Sequence, residues 1–368
     1  MNPADVDAAA LAAAWEDFCT TLREAGRTIL RPEAPQSSEV YADGFLHLTQ
    51  LLSLGIDFFV ANADGDFPQF NAVITPTRKW ALDNPDSLYD RAPVTGTNTY
   101  RIAGQRGSTR LMLFDVNEGM TGSTRTRRQR GHLTSRDLEI EDDGTFEIIV
   151  SADEQDGNWL PLDRSMTPFD FGLIIRQYFA DEANETPATY TIECVDGPKA
   201  PSRRSPAHVA RGLHEAAGFV RDSVDYWAMV GDELAKAPNQ LLDADPQSTV
   251  HAGANPDNAY RGGMWRLQAD EALVIDIRPA PKADFWNFYI CNYWWEDIDD
   301  RHHRMNVNSS NANLEADGSL RIVISEKDLG YRNHLETAGN REGMMLLRMT
   351  FPEAAPSIEC TVVSTNGR

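Results

Sequence analysis

The sequence predicts a mainly β protein with a helical N-terminus, two duplicated strand-rich lobes and a helical linker between the lobes. Three observations predict it. Apolar residues recur at helical spacing near the start, the period changes to two from Tyr100 onward, and one ordered set of motifs then occurs twice. The implied boundaries are a helical region and connection over 1–95, a first β lobe over 96–198, a helical linker over 199–254 and a second β lobe over 255–368.

The elements follow in order. Asp5 is placed to cap a first helix whose apolar residues are Leu11, Trp15, Phe18 and Leu22. A second helical stretch carries Phe45, Leu48, Leu51 and Leu52, and Asp64 to Tyr89 reads as a connection rich in Pro and Asp. Strands are expected at Thr99–Ala103, Thr109–Val116, Phe146–Ser151, Leu173–Phe179 and Thr189–Cys194. Ser205 before Pro206 is a helix start, and Val209, Leu213, Ala216, Val220, Val224 and Trp227 form its apolar face. Asn255–Gly263 reads as loop, and strands resume from Trp265 to Val363.

The duplication rests on motifs in a shared order. Asp143-Gly144 before an alternating strand matches Asp317-Gly318, and Asn158-Trp159-Leu160 matches Asn333-His334-Leu335. Arg176 to Phe179 matches Arg348 to Phe351, Ile-Glu-Cys closes each copy at Cys194 and Cys360, and Tyr100-Arg101 is aligned with Trp265-Arg266. A repeat this long fits a duplicated β domain and not a solenoid. Asn158 and Asn333 are expected in equivalent turns, with their side chains bonded to backbone.

Composition narrows the function. A net charge of −22 repels nucleic acid and anionic membrane alike. The N-terminus lacks the basic start of a secretory signal, the longest apolar runs fall short of a bilayer span, and the four cysteines form no CxxC. A cytoplasmic protein with reduced thiols is therefore expected. The basic cluster Arg125, Arg127, Arg128 and Arg130 reads as a loop paired with nearby acids, an anion site being the alternative. The chain has no nucleophile elbow, phosphate loop, zinc-protease motif or dinucleotide fingerprint, so no organic cofactor is evident.

In a duplicated fold, shared residues serve the skeleton, and chemistry is sought where the copies differ. The second copy departs most from the first between Phe285 and Arg304, where aromatic residues give way to acids and histidines. The candidate catalytic residues are His302, His303, Asp299, Asp300 and Glu296, because carboxylates orient and tune an imidazole for proton transfer. Tyr293, Trp294, Trp295, Arg301, His334 and Arg101 are the candidate substrate-binding residues. A divalent metal on Glu296, Asp299, His302 and His303 is the less favoured alternative, since the spacing fits no standard site. A core strand ending in a salt-bridged loop is the structural alternative for the same segment.

Several motifs resemble a known family. Lys79 with Asp83-Asn84-Pro85-Asp86, Tyr100-Arg101-x-x-Gly104-x-Arg106-Gly107, Gly157 to Leu162, and Asn292-Tyr293-Trp294-Trp295-Glu296 with Asp299-x-Arg301 resemble the domain of unknown function 1214 family. Asn308, Asp328-x-Gly330, Asn333 and Thr337-Ala338-Gly339 extend the resemblance over nearly the whole chain. It implies lobes of the β-sandwich or jelly-roll kind and carries no settled reaction. The chain departs from the family pattern at Asp300, where members often have Tyr, and at Leu329 to Leu335, where His334 replaces Trp.

The expectation is an enzyme without an organic cofactor, a hydrolase, lyase or isomerase doing acid–base chemistry on an apolar or aromatic small molecule held between the lobes. The alternative is a non-catalytic module that binds carbohydrate or lipid on the same aromatics. The expected partners are a small-molecule ligand and at most further copies of the chain, with no nucleic acid and no membrane.

Overall fold

A computed structural model describes residues 3–366 except Thr121, Thr126, 246–252 and Ala254. Two long helices open the chain, α1 (Pro3–Ile29) and α2 (Ser38–Ile56), and a π-helical turn, Asp57–Ala61, continues α2. Helix α1 begins two residues ahead of Asp5, whose side chain lies outside the description. Its buried residues include Phe18, Ala25 and Ile29, while Trp15 is exposed. Ser37 caps α2 by accepting from the Val40 N–H, and its buried face is Gly44, His47, Leu51 and Leu54 and not Phe45. By length and composition Ser38–Ala61 could cross a membrane, although Glu39, Asp43, His47, Gln50 and Asp57 interrupt its apolar runs. It is partly buried and packs closely, since a Cβ on Gly55 would lie 2.9 Å from the Ala216 carbonyl oxygen.

The first lobe follows, with β1 (Asn71–Ala72), β2 (Ser87–Ala92), β3 (Tyr100–Gln105), β4 (Leu111–Gly119), β5 (Arg127–Thr134), β6 (Thr145–Ser151), β7 (Trp159–Pro161), β8 (Gly172–Tyr178) and β9 (Thr189–Cys194). Helix α3 (Pro206–Leu234) starts where Ser205 accepts from the His208 N–H. The second lobe holds β10 (Leu242–Asp243), β11 (Asn258–Arg266), β12 (Glu271–Arg278), β13 (Phe285–Ile290), β14 (Asn306–Asn308), β15 (Leu320–Ser325), β16 (His334–Glu336), β17 (Glu342–Thr350) and β18 (Ser357–Ser364).

Each lobe has two sheets, and the strand orders correspond. The first lobe runs β1-β2-β8-β4-β5 and β7-β6-β3-β9, and the second runs β10-β11-β17-β13-β14 and β16-β15-β12-β18. The fold is thus mainly β with two duplicated lobes, as the motifs predicted. In the first lobe, Met112, Phe114, Val116, Leu173 and Ile175 of the larger sheet share a core with Ile102, Phe146, Ile148 and Val150 of the smaller one. The Asn158 and Asn333 turns also correspond. Asn158 donates to the Glu139 and Glu147 carbonyls and accepts from the Glu139 N–H, while Asn333 donates to Asn313 and Arg321 and accepts from Asn313.

Three local expectations need correction. Asn258–Arg266 is strand and not loop, and it pairs with β17 along its whole length. Its strand signal is masked by Gly262 and Gly263, and the latter leaves room for the Gln240 carbonyl, which would lie 2.0 Å from an added Cβ. The topology also shifts one match: Trp265-Arg266 lies on β11, the counterpart of β2, whereas Tyr100-Arg101 lies on β3, the counterpart of β12. Finally, Arg127 to Arg130 belong to strand β5, although pairing with acids holds for Arg125 with Glu215 and Asp222 and for Arg130 with Glu118 and Asp163.

The chain divides into two compact units. One contains residues 1–78, 87–179 and 184–226, and the other contains 79–86, 180–183 and 227–368. The segment Lys79–Asp86 therefore belongs with the second lobe, although it directly precedes β2 of the first.

Candidate active site

Strand β13 carries the aromatic run, and all six of its residues are buried. The burial does not alternate because the face that carries Asn287 and Tyr289 is also covered, by Leu82, Asn84 and Asp86. The chain leaves the strand in a tight bend. Asn292 organises it, its Oδ1 accepting from the Trp294 and Glu296 N–H groups. The bend packs onto β17 because position 343 is glycine, where an added Cβ would lie 2.0 Å from the Cys291 carbonyl oxygen. Trp295 donates to the Trp227 carbonyl at 2.9 Å, and its ring packs on the Trp227 ring at a tilt of 48°, with the centroids 4.7 Å apart.

The segment Lys79–Asp86 lies against this bend. The Leu82 N–H donates to the Trp295 carbonyl, and the Tyr289 hydroxyl donates to the Leu82 carbonyl. Four residues other than glycine take a left-handed backbone here, Ala81, Leu82, Trp295 and Asp299. Such conformations cost roughly 1 kcal/mol or more each and collect at functional sites.

The segment brings a cation, Lys79, and two carboxylates, Asp83 and Asp86, against the bend, which adds Asp297. Lys79 Nζ bonds Asp297 and lies 3.5 Å from Asp83 Oδ2, while Asp83 Oδ1 accepts from the Asp297 N–H at 2.9 Å. All three side chains are almost wholly buried. Burial pushes the Asp83 carboxyl well above the usual carboxylate range, and the charge of Asp297 pushes it further, against the pull of Lys79. Burial alone would lower Lys79, but Asp83, Asp297 and the more distant Asp300 outweigh it and keep the ammonium charged. Burial and Asp297 also raise Asp300, which is exposed at the rim, and burial raises Glu182, which feels Asp300 and Asp86.

Asp86 is buried on the face of the larger sheet that carries Asn287 and Asn308. Its Oδ1 accepts from Asn306 at 2.9 Å and Asn308 at 2.8 Å, and its Oδ2 accepts from Asn287 at 2.7 Å. Burial raises this carboxyl, and the three amides and Arg348 oppose the rise. Arg348 NH2 donates to the Tyr289 hydroxyl at 3.0 Å. The amide oxygen of Asn287 is buried and accepts no hydrogen bond among the described residues.

The residues singled out from sequence are placed as follows. Glu296 is buried beside Asn292, and Tyr293, Trp294 and Trp295 are buried in the lobe, so they form no open platform. Asp299 accepts from the His302 and His303 N–H groups through its carbonyl, but its carboxylate is held by arginine. Arg301 binds it with two bonds of 2.7 and 2.8 Å and holds its carboxyl down at about 2. His302 is exposed, and His303 Nδ1 pairs with Glu336 at 3.1 Å. The expected imidazole–aspartate contact is therefore corrected: the bend directs Asp297 inward and the histidines outward. His334 hydrogen-bonds the Ser325 carbonyl through Nε2 at 3.1 Å, as Trp159 does with Ser151, so it replaces the tryptophan as a structural donor. Arg101 lies exposed between Glu147 and Glu193. Among the described residues, no three His, Cys, Asp or Glu side chains gather as a metal-binding group. Lys79 and Asp83 appeared only as family-like motifs, because nothing in the local pattern says which lobe the segment joins.

An open depression of about 450 Å³ in the first unit is lined by Asp57, Asn71, Arg78 and neighbouring residues, and the bend contributes nothing to it.

The family model for "Protein of unknown function (DUF1214)" matches residues 86–182 and 242–354, together more than half of the chain. The crystal structure of an uncharacterized protein from Burkholderia cenocepacia superposes with a TM-score of 0.92 at 34% identity, covering 96% of this chain and 98% of that one. The VPA0106 protein from Vibrio parahaemolyticus shares the fold, with a TM-score of 0.51 at 13% identity over 86% of this chain and 98% of its own. No curated protein matches the sequence.

Proposed function

Since the chain belongs to the DUF1214 family, whose name prescribes no reaction, we propose from its own residues that it is an acid–base enzyme acting on an apolar or aromatic small molecule. The reactive centre is Asp83, Asp297 and Lys79 in the second lobe. The observation that carries this reading is the buried cluster in which Asp83, Asp297 and Lys79 meet. Asp83 is driven toward its protonated form by burial and by Asp297, while Asp297 holds the ammonium of Lys79. A buried carboxyl that holds its proton more tightly than usual, beside a carboxylate paired with an ammonium, is an arrangement that acid–base catalysis can use. Asp300 and Glu182, at the surface, are further carboxyls raised by burial and by neighbouring acids.

Hydrolysis, elimination and isomerisation all suit such a centre, and none requires an organic cofactor. A carbohydrate or lipid platform is less well supported, because Tyr293, Trp294 and Trp295 are core residues. The four cysteines are free thiols, which fits a reducing compartment. The test is turnover of a panel of aromatic esters, lactones and elimination substrates. Asp297→Asn and Lys79→Met should each lower turnover about a hundredfold or more, the usual scale for losing an acid or base. Wild-type rates in both variants would refute the assignment.

A further inference from the structure

The first lobe contains a separate cluster around Asp115 and His132, neither of which the sequence reading singled out. Asp115 on β4 is fully buried, and it accepts from His132 Nδ1 at 2.7 Å, from Gln129 Nε2 at 2.5 Å and from Arg176. Gln129 and His132 are three residues apart on β5, so a regular strand would point them to opposite faces. The β4–β5 register shifts between Val116 and Asn117: Val116 pairs with Gly131 and Asn117 with Gln129, leaving Arg130 as the extra residue. This bulge turns Arg127, Gln129 and His132 to one face, and bulges recur beside active sites for this reason.

The charge state follows from the surroundings. Burial alone would raise the Asp115 carboxyl, but Arg176, the His132 bond and Arg127 outweigh it and hold the group below the usual carboxylate range. An ionised, buried carboxylate on Nδ1 fixes the imidazole with its proton on that nitrogen and stabilises the imidazolium when Nε2 takes another. His132 is accessible, with 23% of its side chain exposed. A second observation points to a ligand. Asn117, two residues along β4 on the same face, gives its oxygen to Arg127 at 2.8 Å, while its buried Nδ2 has no hydrogen-bond partner among the described residues. A buried donor without an acceptor costs about 1–3 kcal/mol, and a ligand oxygen would relieve it.

We propose that His132, oriented by Asp115, is a general base of a second site, which takes a small carbonyl compound with an acidic α-hydrogen. The α-proton moves to His132 Nε2, the C–H electron pair passes into the carbonyl group, and the resulting enolate oxygen accepts from Asn117 Nδ2. Return of the proton regenerates the imidazole. No oxidant or further reactant takes part.

The experiment uses the full chain in deuterated water with phenylpyruvate, pyruvate and cyclohexanone as probes, following α-deuterium uptake by mass spectrometry. Exchange of at least one probe should be accelerated, and His132→Gln, which retains a donor for Asp115, should lower the rate about a hundredfold or more. Asn117→Asp keeps the acceptor for Arg127 but removes the donor, and it should cost about a hundredfold. The nitrogen spectra of His132 should show a proton on Nδ1 in the wild type and in Asn117→Asp alike. No acceleration of any probe, or acceleration that survives His132→Gln, overturns the proposal.

Discussion

Corresponding strands place a tyrosine and an arginine side by side in both lobes, Tyr89 with Arg176 and Tyr260 with Arg348, yet the surrounding residues differ. By register, Leu113, Asp115, His132 and Thr134 of the first lobe correspond to Asn287, Tyr289, Asn306 and Asn308 of the second. The first lobe has its own carboxylate on the sheet and matches it with Arg176 and His132. The second has a tyrosine there and receives its carboxylates from the segment Lys79–Asp86 and the bend after β13. The consequence is electrostatic. Asp115 is held below the usual range, and Asp83 is driven well above it. One scaffold thus carries a charge-matched carboxylate and a proton-holding one.

The largest expected effect would come from breaking the matched cluster. Asp115→Asn leaves Arg176 buried without its carboxylate and should destabilise the protein by about 3–5 kcal/mol in urea unfolding. The sign with pH follows from the lowered value. Stability from Asp115 is present above the unfolded-state pKa and is lost as pH falls through the folded-state one. A loss below about 1 kcal/mol would mean that Arg176 is satisfied elsewhere.

Trp295→Ala ranks next or equal. It empties a buried site and removes the bond to the Trp227 carbonyl, so a loss of about 3–5 kcal/mol is expected. An unchanged melting temperature would return the aromatics to the role of a ligand platform.

Asp83→Asn should act in the opposite direction. A raised carboxyl contributes stability that is present below the unfolded-state pKa and lost as pH rises through the folded-state value. The amide cannot ionise, so the variant should be more stable than wild type near neutral pH by on the order of 1 kcal/mol, with the gain vanishing in acid. Destabilisation at every pH would show that the Lys79 pair dominates.

The smallest effect is expected at His302 and His303. Replacing either by Ala should change stability by less than about 0.5 kcal/mol and leave turnover near wild type, because one is exposed and the other forms a rim pair with Glu336. A large loss of turnover would restore the histidines to the active site.

Much of the fold was legible because strand alternation and turn chemistry are local. Asp143-Gly144 and Asp317-Gly318 marked equivalent strands, and Asn158 and Asn333 marked equivalent turns. The aromatic bend was legible as the place where the copies diverge. Three features depend on tertiary context and were hidden. The Tyr100 match slipped by one strand because Trp265-Arg266 copies its residue types on β11. The Lys79–Asp86 segment gave no sign that it belongs with the second lobe, since its anchors, Asn287, Tyr289, Trp295 and Asp297, lie about 200 residues away. The His132 cluster was masked because a period of two puts Gln129 and His132 on opposite faces, and only the bulge brings them to one.

The central claim is that Asp83, Asp297 and Lys79 form one buried centre in which the Asp83 carboxyl holds its proton more tightly than usual. A carbon-13 titration of the aspartate carboxyls, assigned with Asp83→Asn, tests it most directly. Asp83 should titrate well above the ordinary carboxylate range. Its pKa should fall when Asp297 is replaced by Asn and rise when Lys79 is replaced by Met. An Asp83 signal that titrates near 4 and ignores both substitutions would contradict the account.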